Sequence, residues 1–159
     1  MAVTSEDLVT VAGGSIYVSA SLPATYNKAG FEALTYTEVG GAADLPALGG
    51  SANVVSYDLL STGFTTKKKG QKQFGSATFN YASVPSDAGQ VIMAAATLSQ
   101  NSYSFKVVYN NGATDYVSAI VMGAPKNNGT ADTVQAHTAS LEYTSDVVFV
   151  AAPLWISAL

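Results

Sequence analysis

Residues 102–123, SYSFKVVYNNGATDYVSAIVMG, place the tightest constraint on what this chain can fold into. Two runs rich in β-branched and aromatic residues flank Asn111-Gly112, a dipeptide suited to the two positive-φ positions of a type I′ turn, so the segment is predicted to be an antiparallel hairpin. With Asn111 and Gly112 as the turn, Val107 faces Tyr116, Phe105 faces Ser118 and Tyr103 faces Ile120, which gathers the bulky residues on one side. Lys106, Val117, Ala119 and Val121 fall on the other side. That side is apolar enough to require cover too.

Alternation with period two continues elsewhere between glycine and asparagine breaks. Strands are predicted at 15–19, with Ile16 and Val18 inward, at 35–39, at 54–60 and at 75–81, where Ala77, Phe79 and Tyr81 alternate with Ser76, Thr78 and Asn80. Further strands are predicted within 130–144 and at 146–151, the last ended by Ala152-Pro153. One helix interrupts them. In SVPSDAGQVIMAAATLSQN, Ser86 or Asp87 caps the first turn, Gln90 stands three residues after Asp87 as in a capping box, and an alanine-rich run follows to about Leu98. Val91, Ala95 and Leu98 share a stripe that Ile92, Met93 and Ala96 widen. Residues 27–34 are a weaker helical turn, interrupted by Gly30. The fold class is mainly β.

At 159 residues the chain is long enough for one domain with a sizeable core. Its hydrophobic share is 48% and its charged share only 11%. A soluble monomer usually carries about 25% charged residues, so part of this surface is expected to be covered by protein. Cysteine is absent, which excludes disulfides and thiolate metal sites. The opening MAVTSEDLVTVAGG lacks the basic start and apolar run of a secretory signal, and no stretch reaches the ~20 apolar residues of a membrane span. The expectation is a cytoplasmic product without an anchor, for which the sequon Asn128-Gly129-Thr130 carries no glycosylation meaning.

Catalytic chemistry has little to stand on. The lone histidine, His137, falls mid-strand, where such residues are usually structural. No Gly-x-Ser-x-Gly elbow, calcium loop or two-histidine metal motif occurs, and the eleven acidic residues are scattered. The reading is a non-enzyme without cofactor or metal. Four of the seven cations, Lys67, Lys68, Lys69 and Lys72, lie in one glycine-punctuated stretch, STGFTTKKKGQKQFG, within a long connection over 60–74. Ordered domains rarely keep such a length irregular unless it binds something. Nucleic acid is disfavoured as the ligand: the chain has no arginine and is net −4, with only Phe64 and Phe74 nearby to stack on bases. A solvated cationic loop and an interface that meets acidic patches on a partner are the other two readings, and these residues alone do not choose between them.

Taken in order, Thr66 with Gly70-Gln71-Lys72, then 75–79, then Gly89-Gln90 opening the helix, then Asn111-Gly112, resemble the major tail tube proteins of long non-contractile-tailed phages of the lambda type. VAGGSIYVSA and FEALTYTEVGGAADLP are similar to that family's opening strands, and the likeness runs over about residues 10–150. The resemblance implies a β-sandwich or barrel flanked by one α-helix, in a structural subunit whose homohexameric rings stack into a tube. DNA would pass through the lumen without specific binding. It further implies an arm at 1–14, a single domain at 15–152 with an inter-ring loop at about 52–74, and a tail at 153–159, arm and tail ordering on assembly. The interface residues would be Phe64, Lys67, Lys68, Lys69, Lys72 and Phe74. Further partners would be tail tip or baseplate and terminator proteins, with no membrane, in a virion tail assembled in the host cytoplasm. Strands apolar on both sides would be covered by neighbouring subunits. The rival reading is a monomeric β-sandwich binding or adhesion module.

Overall fold

The computed structural model describes residues 2–5 and 8–151; the tail expected at 153–159 lies outside them. Strands β1 (Ser15–Ser19), β2 (Thr37–Glu38), β5 (Ser76–Ala82), β6 (Tyr103–Val108), β7 (Thr114–Gly123), β8 (Lys126–Asn127), β9 (Ala136–Tyr143) and β10 (Val148–Val150) form one curled antiparallel sheet. Its order is β2-β1-β6-β7-β9-β5, with β10 on β7 and β8 on β9. Helices α1 (Lys28–Glu32) and α2 (Ala88–Leu98) pack against it. Strands β3 (Ser51–Asp58) and β4 (Thr65–Gln73) make a separate two-stranded sheet.

The central hairpin forms, but in a different register. Val107 pairs with Asp115, Phe105 with Val117 and Tyr103 with Ala119. A type I′ turn needs positive φ at Asn111 as well as Gly112, and only Gly112 adopts it, at φ 87°. The loop is therefore Asn110-Asn111-Gly112, closed by the Tyr109 amide donating to the Ala113 carbonyl at 2.9 Å and the Gly112 amide donating to the Tyr109 carbonyl at 3.0 Å. This is the three-residue loop in which a glycine follows a type I turn, and the added residue moves every pair by one. Tyr103, Phe105 and Val107 thus share a face with Val117, Ala119 and Val121, which joins Ile16, Val18, Phe79, Leu141 and Met93 in the core.

Much of the opposite face of β6 and β7 is covered from within the chain. Phe31 of α1 is buried and stacks on Tyr116 with ring centroids 5.5 Å apart, Tyr26 meets Phe31 edge-on, and the Tyr36 hydroxyl donates to the Phe31 carbonyl. The Lys106 ammonium lies over the Tyr17 and Tyr36 rings, 5.0 and 5.7 Å from their centroids, so a cation on a covered face is held by aromatic faces. Asn27 caps α1 by accepting from the Gly30 amide. The weaker helical turn expected over 27–34 thus forms, as the five-residue α1, beside the one helix that the resemblance implies.

Strands β9 and β10 run along the same edge of β7, interrupted between Tyr143 and Val148. The Ser145 hydroxyl accepts from the Ser118 amide at 2.9 Å where the ladder is broken. Beside it, the Ser118 hydroxyl is buried without a hydrogen-bond partner. The free edge of β5 is closed by residues 41–44: the Ala82 amide donates to the Gly41 carbonyl, and the Asp44 carboxylate accepts from both the amide and the side chain of Asn80. Over Asn80–Ala82 this pairing occupies an edge that another chain could otherwise extend.

Helix α2 is fastened by its first turn. Asp87 is the N-cap, accepting from the Gln90 amide and also from the Gly40 amide, both at 3.0 Å. Gln90 does not complete a capping box. Its Oε1 accepts from the Val84 amide at 2.8 Å, and its Nε2 donates to the Gly40 and Ala82 carbonyls at 2.8 and 2.7 Å. Gly89 is pressed so closely on β2 that an added Cβ would stand 2.0 Å from the Glu38 carbonyl oxygen. The residues α2 buries are Gly89, Gln90, Met93 and Ala96, while Val91, Ala95 and Leu98, the stripe expected inside, face outward. Close approach at Gly89 brings the face of Gly89, Met93 and Ala96 against the sheet.

Gln90 is only 8% exposed and all three of its partners are backbone groups. Gln90→Leu, which leaves them without it, is expected to lower unfolding free energy by about 3 kcal/mol in chemical denaturation. Ser118→Ala should do the opposite. Removal of a buried unpartnered hydroxyl is expected to leave stability unchanged or raise it by up to about 1 kcal/mol, read in the same assay.

Candidate assembly surfaces

The connection expected to be irregular over 60–74 is mostly strand. Ser51 pairs with Gln73, Val55 with Lys68 and Asp58 with Thr65, and a bulge at Gly70-Gln71 shifts the register between Ala52 and Val54. At the tip, the Leu59 amide donates to the Phe64 carbonyl and the Gly63 amide to the Leu59 carbonyl, while the Thr65 hydroxyl donates to Asp58 at 2.7 Å. Nearly every residue of β3 and β4 is exposed. An isolated two-stranded ribbon with both faces in water is marginal by itself. Its exposed side chains nonetheless include Val54, Val55, Tyr57, Leu60 and Phe64.

Strand alternation separates the expected interface residues. Lys67 and Lys69 share one face with Val54 and Ser56, whereas Lys68 lies on the other with Val55 and Tyr57. Phe64 is 76% exposed at the tip, one residue before β4. Lys72 and Phe74 stand apart from these, at the ribbon's base. Lys72 is ion-paired with Asp146, in the connection between β9 and β10, and Phe74 packs against the core. The Lys72 ammonium holds the Asp146 carboxyl below the usual carboxylate range. Other anchors hold the same end. The Tyr143 hydroxyl donates to the Ala47 carbonyl, burial pushing its pKa up to about 12, and the Tyr143 amide donates to the Gly75 carbonyl.

A second surface lies beside α2. An open groove of about 520 Å³ runs between the outward stripe of the helix and the ends of β5, β8 and β9. Pro85, Val91, Ala94, Leu98 and Ala124 give it apolar walls, and Lys126 stands in its lining. His137 forms part of the floor, its Nδ1 donating to the Ala124 carbonyl at 3.0 Å and its ring stacked on Tyr81. Sequence reasoning missed this groove because it read the helix's outward stripe as core. Exposed apolar side chains recur in the arm at Leu8, Val9 and Val11. The Asn110 side chain ties the arm to the central turn by donating to Thr10 and to the Ala12 carbonyl.

Buried titratable groups serve packing. Burial raises Asp115, the Tyr109 hydroxyl donating to it at 2.7 Å and drawing it partly back. Among the described residues no cluster of histidine, aspartate or glutamate is arranged to hold a metal ion, and no helix is long and apolar enough to cross a membrane.

No protein-family model and no curated protein matches this chain by sequence. Solved structures do match it in shape. The sheath/tube terminator of the extracellular contractile injection system PVC superposes with a TM-score of 0.68 at 15% identity, over 93% of this chain and 100% of that one. The PVC sheath-tube complex matches at 0.62 and 13%, over 92% and 94%, and the SPP1 tail tube at 0.59 and 12%, over 88% and 78%. The chain therefore has the mainly β fold of tail-tube and tube-terminator proteins.

The Lys72–Asp146 pair predicts a pH effect of known sign. A depressed carboxylate stabilises the folded base above the unfolded carboxyl's pKa of 3.8, and that contribution disappears as pH falls through the lower folded value. Because the pair is exposed, it is expected to contribute less than about 1 kcal/mol. Amide exchange across β3 and β4 should accelerate selectively in that acid range, and Asp146→Asn should give the faster rates already at neutral pH.

Proposed function

We propose that this chain is a structural, non-catalytic subunit of a tail tube, in which homohexameric rings stack around a lumen that passes DNA during ejection. The observation carrying this reading is the β3–β4 ribbon. It projects from a tail-tube fold with apolar and cationic side chains on both faces and, among the described residues, no cover from its own chain. A ribbon of this kind completes its packing only against another molecule.

Within that reading, residues 15–152 form the tube domain, the arm at 1–14 and the tail at 153–159 order on assembly, and the ribbon crosses to the adjacent ring. Phe64, Lys67, Lys68 and Lys69 make the inter-ring contact, while Lys72 and Phe74 fix the ribbon's base to its own subunit. Tail tip, baseplate and terminator proteins close the tube's ends, in a virion tail assembled in the host cytoplasm. The matched structures include both contractile injection systems and the SPP1 tail tube. The non-contractile, lambda-like assignment is supported by the order of the Gly70-Gln71-Lys72, Gly89-Gln90 and Asn111-Gly112 motifs. An arginine-free, acidic subunit suits a channel along which a polyanion must slide without sticking.

Electron microscopy of purified protein is expected to show six-membered rings or hollow tubes. Persistent monomers at high concentration would favour the binding-module alternative. Reversal of Lys67, Lys68 and Lys69 to glutamate should suppress tube formation and change its salt dependence, with monomer melting unchanged. Tubes that form normally would remove those lysines from the interface.

A further inference from the structure

The ribbon and the groove beside α2 are separate surfaces, and no residue of Ser51–Gln73 lines the groove. Strand β4 passes into β5 at the ribbon's base, and β5 runs from Ser76 there to Tyr81 and Ala82 at the groove. An eight-residue strand at about 3.3 Å per residue carries the tip roughly 26 Å from the base. The tip does not sit in its own chain's groove, so both surfaces are open to a second copy. Two different surfaces that pair between copies make a head-to-tail contact, which builds a ring or an open filament according to its rotation.

Their chemistry is complementary. From Leu59 to Phe64 the tip carries no charge, and it presents fully exposed Leu60 beside Phe64. Val91, Ala94 and Leu98 offer an apolar wall, with Leu98 90% exposed. A single acid, Asp58, flanks the tip, and a single lysine, Lys126, lines the groove; among the described residues neither takes part in an ion pair. The long-range field acts in the same sense. Ser51–Gln73 holds four lysines against one aspartate, so of the formal net charge of −4 the ribbon is three units positive and the remainder seven units negative. Such a division draws the ribbon of one copy toward the body of the next.

We infer that the groove between α2 and β8–β9 is the socket for the Leu60–Phe64 tip of a second copy, with Asp58 against Lys126. This inference rests on the tube reading and assigns its receiving surface. Lys67, Lys68 and Lys69 then lie further back along the ribbon, outside the socket, and act through the net negative charge of the body as a whole.

Because the chain has no cysteine, Leu60→Cys with Leu98→Cys introduces the only thiols. Assembled double variant treated with a mild oxidant is expected to give a ladder of covalently linked chains, since a disulfide forms only where the two Cα atoms come within about 7 Å. Neither single variant should give the ladder. Asp58→Lys is expected to raise the concentration needed for polymerisation about fivefold, as an exposed pair contributes up to ~1 kcal/mol, and adding Lys126→Asp should restore it. Polymers of the double variant that form without any disulfide-linked ladder would overturn the socket and leave the tube reading standing. Protein that remains single at every concentration would overturn both.

Discussion

The side-chain amide of Gln90 joins three parts of the molecule: the helix that carries it, the end of β5 and the residues that follow β2. It takes the Val84 amide and supplies the Ala82 carbonyl at the end of β5, and it reaches the Gly40 carbonyl beyond β2. Asp87 takes the Gly40 amide, so both backbone groups of that residue end on the first turn of α2. Hydrogen bonds are directional, and burial makes each of them costly to break. Apolar packing alone would let a short alanine-rich helix slide or rotate on the sheet. This network fixes its rotation, which determines that Met93 and Ala96 face inward and that Val91, Ala94 and Leu98 line an external groove.

The same economy runs through the rest of the body. Edges that could recruit other chains are closed with few residues: Asp44 and Gly41 on β5, a two-residue β2 on β1, and Ser145 where β9 gives way to β10. The second face of β6 and β7 is covered by Phe31 and its aromatic neighbours. Much of the body's apolar surface is thereby covered within one chain, with the groove beside α2 left open. The ribbon is the contrasting case, since pairing within it satisfies much of its backbone while its side chains remain in water on both faces. Uneven completion of this kind concentrates association at the ribbon and at the surfaces able to receive it.

Much of this was legible in residue order. The period-two runs at 15–19 and 75–81 mark strands almost to the residue, and Asp87 is the helix cap that the spacing indicates. Register was not legible at the central turn, because Asn111-Gly112 is compatible with a two-residue or a three-residue loop and the choice depends on which face the core occupies. Residues 65–73 gave no strand signal either. Three consecutive lysines lack the alternation of a half-buried strand, and no alternation is needed where both faces meet solvent.

The sequence by itself determined a cysteine-free, sparsely charged β domain with one capped helix and a cationic segment, since composition, period and turn chemistry are local properties of the chain. The tertiary structure alone decided which stripe of α2 is inside, that Lys72 pairs with Asp146 at the base while Lys67 to Lys69 alternate across two faces, and that the apolar tip and the groove are separate exposed surfaces. These follow from contacts between residues distant in the chain, such as Gln90 with Gly40 and Lys72 with Asp146. No local pattern encodes such contacts until the sheet has curled and brought the partners together.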